Sequence, residues 1–460
     1  MQEQLTGTAT PMEQPKSPAE SELLMAPDTH RGQPVPWRPL IALWACAFCL
    51  NCKPSEPYLS KFIMESKGVT EDELNHSVYP FSTYGSLIFL LPVGMLAEHV
   101  GYRRVIMAGL VCRELTRVLL IFTSGVFWMA TMQLTYAGSV AANSIYFAYA
   151  YVIVPPRHFA LATGGVHSAY HFGNFVGSMF GELLVSTTSV ADNLQLLFYI
   201  SWGTTTLALM LFVLFVPPPR LPPPPSLFSM LQQPGGRELA AAEMRALYEA
   251  PVVRLASLWW VMGGASIALC MNVFQTFFYT IDSDAPFGAI EGSLELLMAA
   301  GAAAVALPSM ARVVTTRPTQ LLGGSMTLSA LLLAVGTLQG ESAAPTLLWV
   351  VAPIVTAMGL SGAQEAAASA AIAAALGSSA GGGNGGGGEQ QQQQQRFALI
   401  FPLNAVGNLL VTSSVLATCS SAGCSTVRYL WLAIAGSSLT VVALAVMERV
   451  WSAPGMMNDG

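Results

Sequence analysis

Residues 194–225 read LQLLFYISWGTTTLALMLFVLFVPPPRLPPPP. The stretch 194–216 is apolar all round and long enough to cross a bilayer, which takes about 20 residues of helix. The block from Pro217 to Pro225 cannot continue that helix, because each proline fixes φ and removes a backbone donor. A helix apolar on every face and stopped by a proline block reads as a membrane span ending at an interface.

The same pattern recurs on both sides of the block. Apolar runs fall near 37–56, 78–98, 104–123, 127–153, 163–187 and 194–216, then near 252–278, 287–311, 318–339, 345–375, 397–417 and 427–449. Backbone groups in lipid must pair within their own segment, so runs of this length are helices. The expected fold is an all-α membrane protein of twelve transmembrane helices in two six-helix halves, a plan that recurs among transporters. Residues 1–36 read as a polar, Pro-rich tail, 37–216 as the first half, 217–251 as a linker, 252–451 as the second half and 452–460 as a tail. The Gly-rich and poly-Gln stretch 377–396 is expected to be a flexible loop.

Composition agrees with lipid as solvent. Of 460 residues, 53% are hydrophobic and 10% charged, against about 25% charged in soluble domains. The net charge of -6 comes without a basic block that would suit nucleic acid. No cofactor motif or Cys/His set with metal spacing is present, no catalytic residue is assigned, and a monomer is expected. Arg103, Arg104, Arg157, Arg220, Arg312, Arg317, Arg396 and Arg449 fall on one side of the expected spans, against Lys61, Lys67 and Arg428 on the other. That imbalance puts both termini in the cytoplasm. The sequon Asn75-His76-Ser77 then lies outside, as a candidate glycosylation site at Asn75. Cys419 and Cys424 share a short loop and can form a disulfide only if it is extracytoplasmic. The other cysteines read as small buried hydrophobes.

Charged groups at membrane depth cost about 2.5–3.5 kcal/mol each on insertion scales, which makes them functional candidates. The first span ends Lys53-Pro54-Ser55-Glu56-Pro57. Its prolines free backbone carbonyls and set Glu56 at a helix break, either as part of a substrate or ion site or as an interfacial cap with a snorkelling Lys53. Span three carries Arg113, Glu114 and Arg117, and Glu114 and Arg117 can pair on one face. This is either a structural cluster or an anion or proton site. Span five holds His167, His171 and Glu182, with the histidines one turn apart, for helix packing or for titration near neutral pH. Glu295 lies within span eight, Glu365 within span ten, and Asn272 with Gln275 within span seven. The candidate ion-coupling set is Glu114, Arg117, His167, His171 and Glu365. The excess of acids suits a cationic substrate or a coupling proton.

Between spans two and three stands Gly94-Met-Leu-Ala-Glu98-His-Val-Gly101-Tyr-Arg103-Arg104. It resembles the signature loop of the major facilitator superfamily, G-x-L-x-D-x-x-G-R-[RK], with Glu98 in place of Asp. The resemblance implies that Glu98, Arg103 and Arg104 latch helices on the cytoplasmic face. Further stretches resemble the reduced folate and thiamine carrier family. Lys53-Pro-Ser-Glu-Pro-Tyr-Leu59 is similar to R-P-S-E-P-F-L of its thiamine branch. Tyr79-Pro80 with Thr83-Tyr84, Ile145-Tyr146-Phe147-Ala148-Tyr149, Gly177 to Ser186, Leu258-Trp259-Trp260 followed by Asn272, and Arg396 to Asn404 match in order.

That resemblance implies an alternating-access carrier of a water-soluble vitamin in the plasma membrane, with protons or an organic-anion counter-substrate as partners. It places Glu56, Tyr79, Tyr84, Asn143, Tyr146, Asn272 and Glu295 at the substrate. Two carboxylates and an amide suit a thiazolium cation and an aminopyrimidine edge, and the tyrosines suit stacking on the rings. Asn143 stands where folate carriers have Arg and thiamine carriers Glu. Thr412 stands where folate carriers have Lys, Gly359 near their tenth-span Arg, and Ser82 at the thiamine carriers' tryptophan. With those basic partners missing, thiamine leads folate or another organic anion as the expected cargo. A non-transporting nutrient receptor on the same scaffold is the rival of a different class.

Overall fold

The computed structural model describes residues 35–70, 73–155, 158–187, 194–218, 234–282, 285–342, 345–378, 387–422 and 424–452. Long helices occupy all twelve expected positions. They are α1 (Trp37–Asn51), α2 (Pro80–Val100), α3 (Tyr102–Phe122), α4 (Val126–Ile153), α5 (Phe159–Thr187) and α6 (Gln195–Phe215). In the second half, α7 comprises Pro251–Leu258, a π turn at Trp259–Gly263 and Gly264–Ile281. The remainder are α8 (Phe287–Val305), α9 (Pro318–Gly340), α10 (Leu347–Ser378), α11 (Gly387–Ser421) and α12 (Thr426–Ser452). Among the described residues, eight helices, α2 and α6 to α12, are long and apolar enough to cross a membrane. The other four fall short for physical reasons. Helix α1 stops after 15 residues, α3 carries four arginines at depth or near its start, and α4 and α5 are rich in hydroxyl, amide and imidazole groups. Large apolar side chains such as Phe127, Leu214, Leu331 and Trp349 stand exposed around the bundle, as a lipid-facing surface requires.

Two stretches depart from the sequence reading. The poly-Gln tract expected as loop within 377–396 forms the first turns of α11, which begins at Gly387. Gln is a good helix former, so the tract extends the span; residues 379–386 lie outside the described set. The linker 217–251 contains a helix, Gly236–Leu247, and its residues 219–233 lie outside the described set. Asn75 sits in a π turn, Leu74–Val78, and its side chain is outside the described set.

The expected break after α1 is present. The chain turns at Cys52–Ser55, makes a single 3-10 turn at Glu56–Tyr58, and resumes as a short helix, Leu59–Lys67. Freed backbone groups find partners on α6. Thr204 donates its hydroxyl to the Cys52 carbonyl at 2.8 Å, and the Ser55 N–H donates to Ser201 Oγ at 3.1 Å. The short helix packs onto the ends of α3, α4 and α6, with Phe62 stacked on Phe198 at 4.0 Å. Lys67 closes the end of α3 by donating to the Ile121 carbonyl at 2.7 Å, a favourable place for a cation.

Helix α5 carries the packing between the halves. On one face, Gly165, Gly173, Gly177 and Gly181 meet Trp44, Phe48, Lys53 and Pro54 of the α1 segment in turn. On another face, Gly164 meets Ala302 and Ala306, while Met179 and Glu182 meet Gly292 and Gly288. The reversed order makes α5 and α8 antiparallel, and small residues let the two backbones approach. Helix α10 packs on both α5 and α8, and α11 packs on α2 and α4.

At the break, Glu56 forms a knot of charge. Its Oε2 lies 3.1 Å from Lys53 Nζ and 3.3 Å from Arg117 Nη2, and both cations are buried. Arg113, within electrostatic reach of the same group, donates to Ser139 Oγ at 3.0 Å and lies over the Tyr136 ring.

Two expectations follow for stability. A Cβ at Gly177 would lie 2.5 Å from the Lys53 backbone nitrogen, which cannot swing aside. Gly177→Ala therefore costs about 1–3 kcal/mol, whereas Gly203→Ala, with nothing within 4 Å, leaves the melting temperature in detergent unchanged or higher. Glu56→Gln strands two buried cations and destabilises more than Arg117→Met, which leaves Lys53 paired. The loss sits at the lower end of the ~3–5 kcal/mol seen when one partner of a buried pair is removed, because Glu56 is still 33% exposed. Thermal melts of the four variants rank them.

Candidate functional site

A cavity of about 300 Å³ lies between helices of both chain halves. Helix α2 contributes Ser86 and Leu90, α4 contributes Val140, Asn143, Ser144 and Phe147, and α5 contributes His167. From the second half come Trp260 of α7, Ser369 of α10, and Phe401, Ala405, Asn408 and Leu409 of α11. The lining is aromatic faces, two amides and three serines, with His167 as the one titratable side chain in it. Its size is at the small end of ligand pockets, about 300–1,000 Å³.

Local structure aims these groups. The π turn at Trp259–Gly263 widens α7 by one residue, a distortion that clusters at functional sites. Asn408 donates to the Trp260 carbonyl at 3.2 Å, so α11 holds the turn. Thr412 donates to Asn408 Oδ1 at 3.2 Å and fixes the amide. The Trp260 indole N–H has no hydrogen-bond partner among the described residues. Phe147 stacks on His167 with ring centroids 4.4 Å apart. Towards the Arg-rich end, Tyr151 and Phe159 pack against Phe397 and Phe401.

Behind the cavity, two histidine–carboxylate pairs join the halves. His171 Nδ1 lies 2.7 Å from Glu295 Oε2 of α8, and His167 Nδ1 lies 4.0 Å from Glu365 Oε2 of α10. Both histidines are buried. Glu182, on the same helix, accepts from the Tyr58 hydroxyl at 3.2 Å.

The structure sorts the residues expected from sequence. Asn143 and His167 line the cavity. Glu56, Asn272 and Glu295 do not converge on it. Glu56 is held by Lys53 and Arg117, Glu295 by His171, and the exposed Asn272 returns its amide to its own helix, at the Ala268 carbonyl, 2.7 Å away. Tyr146 is corrected from a stacking group to a buried tie: it is 3% exposed and donates to the Leu43 carbonyl of α1. Tyr84 is 61% exposed with Phe81 and Ile88, on the face of α2 turned away from Ser86. Tyr79 packs in the apolar cluster around Phe62. Glu114 pairs with Trp202 Nε1 and Thr206 Oγ1, each at 2.8 Å, rather than with Arg117.

In the loop at Glu98–Arg104, Arg103 connects the start of α3 to the end of α6. Gly101 has φ 93°, open to glycine alone without strain. Arg103 donates to the carbonyls of Val213 and Val216 at the end of α6, at 2.9 and 3.4 Å, and Arg104 to that of Val100. Glu98 is fully buried. At the linker, Tyr248 donates to Asn404 Oδ1 at 3.3 Å, and burial raises its phenol above the ordinary range. Cys419 and Cys424 are joined in a disulfide. Sequence reasoning missed Ser369, Phe401 and Asn408 as lining. Trp260 and Phe147 stood inside quoted motifs, and adjacency to Asn404 was the available hint for Asn408.

Comparison with known proteins agrees with this architecture. The human organic anion transporter MFSD10 (TETRAN) superposes with a TM-score of 0.59 at 15% identity, over 91% of this chain and 100% of that one. The Escherichia coli fucose:proton symporter FucP gives 0.56 at 15%, over 90% and 97%. The chain therefore has the fold of these two transporters, as an integral membrane protein with multiple spans. In sequence, a folate-like transporter of Dictyostelium discoideum is 30% identical over 38% of this chain, folate transporter 1 of Caenorhabditis elegans 33% over 29%, and human thiamine transporter 2 32% over 33%. These matches span 30%, 30% and 31% of the relatives' own length. Residues 37–222 match the profile described as Reduced folate carrier. Over this first half the chain is similar to the reduced folate carrier family, and the matched relatives are named for folate and thiamine transport.

Proposed function

We propose that the chain carries a heteroaromatic vitamin, thiamine, across the plasma membrane by alternating access. The first half, 37–216, rocks against the second, 252–451, around the cavity between them. The observation that carries this reading is the lining of that cavity. Phe147, Trp260 and Phe401 offer ring faces, Asn143 and Asn408 offer amides, and no lysine or arginine lies among the lining residues. A thiazolium over an aromatic face gains roughly 0.5–2 kcal/mol, and an amide matches the donor–acceptor edge of an aminopyrimidine. The two carboxylates of a folate want basic partners, which this lining lacks. The disulfide at Cys419–Cys424 supports an oxidising compartment on that side, and thus the cytoplasmic termini read from the arginine distribution.

One observation favours a second reading, a folate or another organic anion. Lys53, Arg113 and Arg117 surround a single carboxylate, Glu56, so an anion reaching that group would meet excess positive charge.

Proteoliposomes holding the purified chain, offered labelled thiamine or labelled folate, separate the readings. Thiamine is expected to enter and to be competed by unlabelled thiamine but not by folate. Folate flux without thiamine flux would sink the thiamine reading, and binding without flux would make the chain a receptor. Trp260→Ala is expected to raise the thiamine KM by roughly 2- to 30-fold, the range of one lost cation–π contact. Asn143→Arg is expected to reduce thiamine entry further, by setting a like charge in the cavity.

A further inference from the structure

We propose that His167, His171 and Glu365 bind one divalent transition-metal ion of the zinc class, tying α5 to α10. The ligand atoms of the three side chains lie within 4.8 Å of one another. The histidines stand one turn apart on one face of α5, the spacing that presents two imidazoles to a common point. His167 Nδ1 and Glu365 Oε2 are 4.0 Å apart, too far for a hydrogen bond. Two ligands on a tetrahedral ion at about 2.0–2.1 Å stand about 3.3 Å apart, so closure onto an ion brings no two ligand atoms together by more than about 1.5 Å.

The surroundings fit an ion better than a bare pair. His171 already engages Glu295 through Nδ1 at 2.7 Å, which leaves Nε2 for a metal. A carboxylate behind a ligating imidazole is the usual outer partner of a zinc histidine, fixing its tautomer and ring angle. Glu295 and Glu365 together balance a double positive charge, so the loaded cluster is neutral in a buried setting. Two imidazoles and one carboxylate select zinc, cobalt or nickel over calcium and magnesium, which take oxygen alone, and over copper(I), which takes sulfur. His167 lines the cavity, giving an entry path and room for a fourth ligand. The site joins the two chain halves, and its existence does not depend on which cargo the chain carries.

The test uses the full chain, purified in detergent with a tag free of histidine and titrated with cobalt(II), then zinc. One ion per chain is expected, with visible cobalt bands, no sulfur-to-cobalt charge transfer, displacement by zinc and a higher melting temperature. His167→Ala and Glu365→Gln are expected to abolish binding, and Glu295→Gln to weaken it roughly 10- to 100-fold. His171→Gln, closer in volume, serves as a second ligand variant, and each is compared only where its metal-free melt matches the wild type. No binding would overturn the proposal. So would binding unchanged in His167→Ala and Glu365→Gln, or a sulfur band pointing to the free cysteines Cys46, Cys49 and Cys52.

Discussion

Helix α5 must lie against the backbone of α1 on one face and against α8 and α10 on another, and the positions of the functional groups depend on both contacts. Gly165, Gly173, Gly177 and Gly181 sit four or eight residues apart and form one stripe, against which the α1 segment rests from Trp44 to Pro54. His167 and His171 are two residues out of phase with that stripe, so helical geometry turns them to the far side, where Glu295 and Glu365 stand. The broken end of α1 and the paired histidines are thus set by a single helix. A side chain on the glycine stripe would lift α1 away, and with it the Lys53–Glu56–Arg117 group.

The four helices too short or too polar to pass as ordinary spans, α1, α3, α4 and α5, carry many buried polar groups, and α4 and α5 bring Asn143, Ser144 and His167 to the cavity. Lipid offers no partners, so each of these groups is tolerable only when paired within the protein. The pairs are specific: Arg113 with Ser139 and Tyr136, Glu114 with Trp202 and Thr206, the Cys52 carbonyl with Thr204. Membrane-depth interhelical hydrogen bonds average only about 0.6 kcal/mol in measured cycles. Their role here is more to meet the demand of a buried polar interior than to add stability, and the second half meets the same demand with Gln364 on Ser329 and Asn404 on Ser257.

Helix positions, the break at Pro54 and the glycine turn at Gly101 were legible because they rest on local chemistry: run length, ring closure and φ. Which face each residue takes was not. In a span apolar all round, hydrophobicity carries no phase, so nothing in α2 marks Tyr84 as outward and Ser86 as inward. The same ambiguity hid Tyr146, whose hydroxyl is spent on α1, and Asn272, whose amide returns to its own helix. The pairing of Glu114 with Arg117 obeyed helix spacing, yet each found a better partner on another helix. Asn408 was silent because its importance comes from the π turn across from it, which spacing does not reveal.

The contacts between the halves are of two kinds, and in lipid they do not weigh equally. Glycine-lined backbones along α5 and α8, and the rings of Tyr151, Phe159, Phe397 and Phe401, gain dispersion but little hydrophobic drive, because lipid tails are as apolar as they are. Such surfaces can part and be covered by lipid at small cost. The histidine–carboxylate contacts have no such substitute: separated, each leaves a buried imidazole and a half-buried acid without their partner, a loss that only water or an ion can make good. His167 faces the cavity, and Glu365 is 28% exposed, so this region lies within reach of a polar solvent or an ion. Under the proposed alternating access, the balance between closed and open arrangements would therefore rest on what fills the space beside His167 more than on the area of apolar surface the halves share.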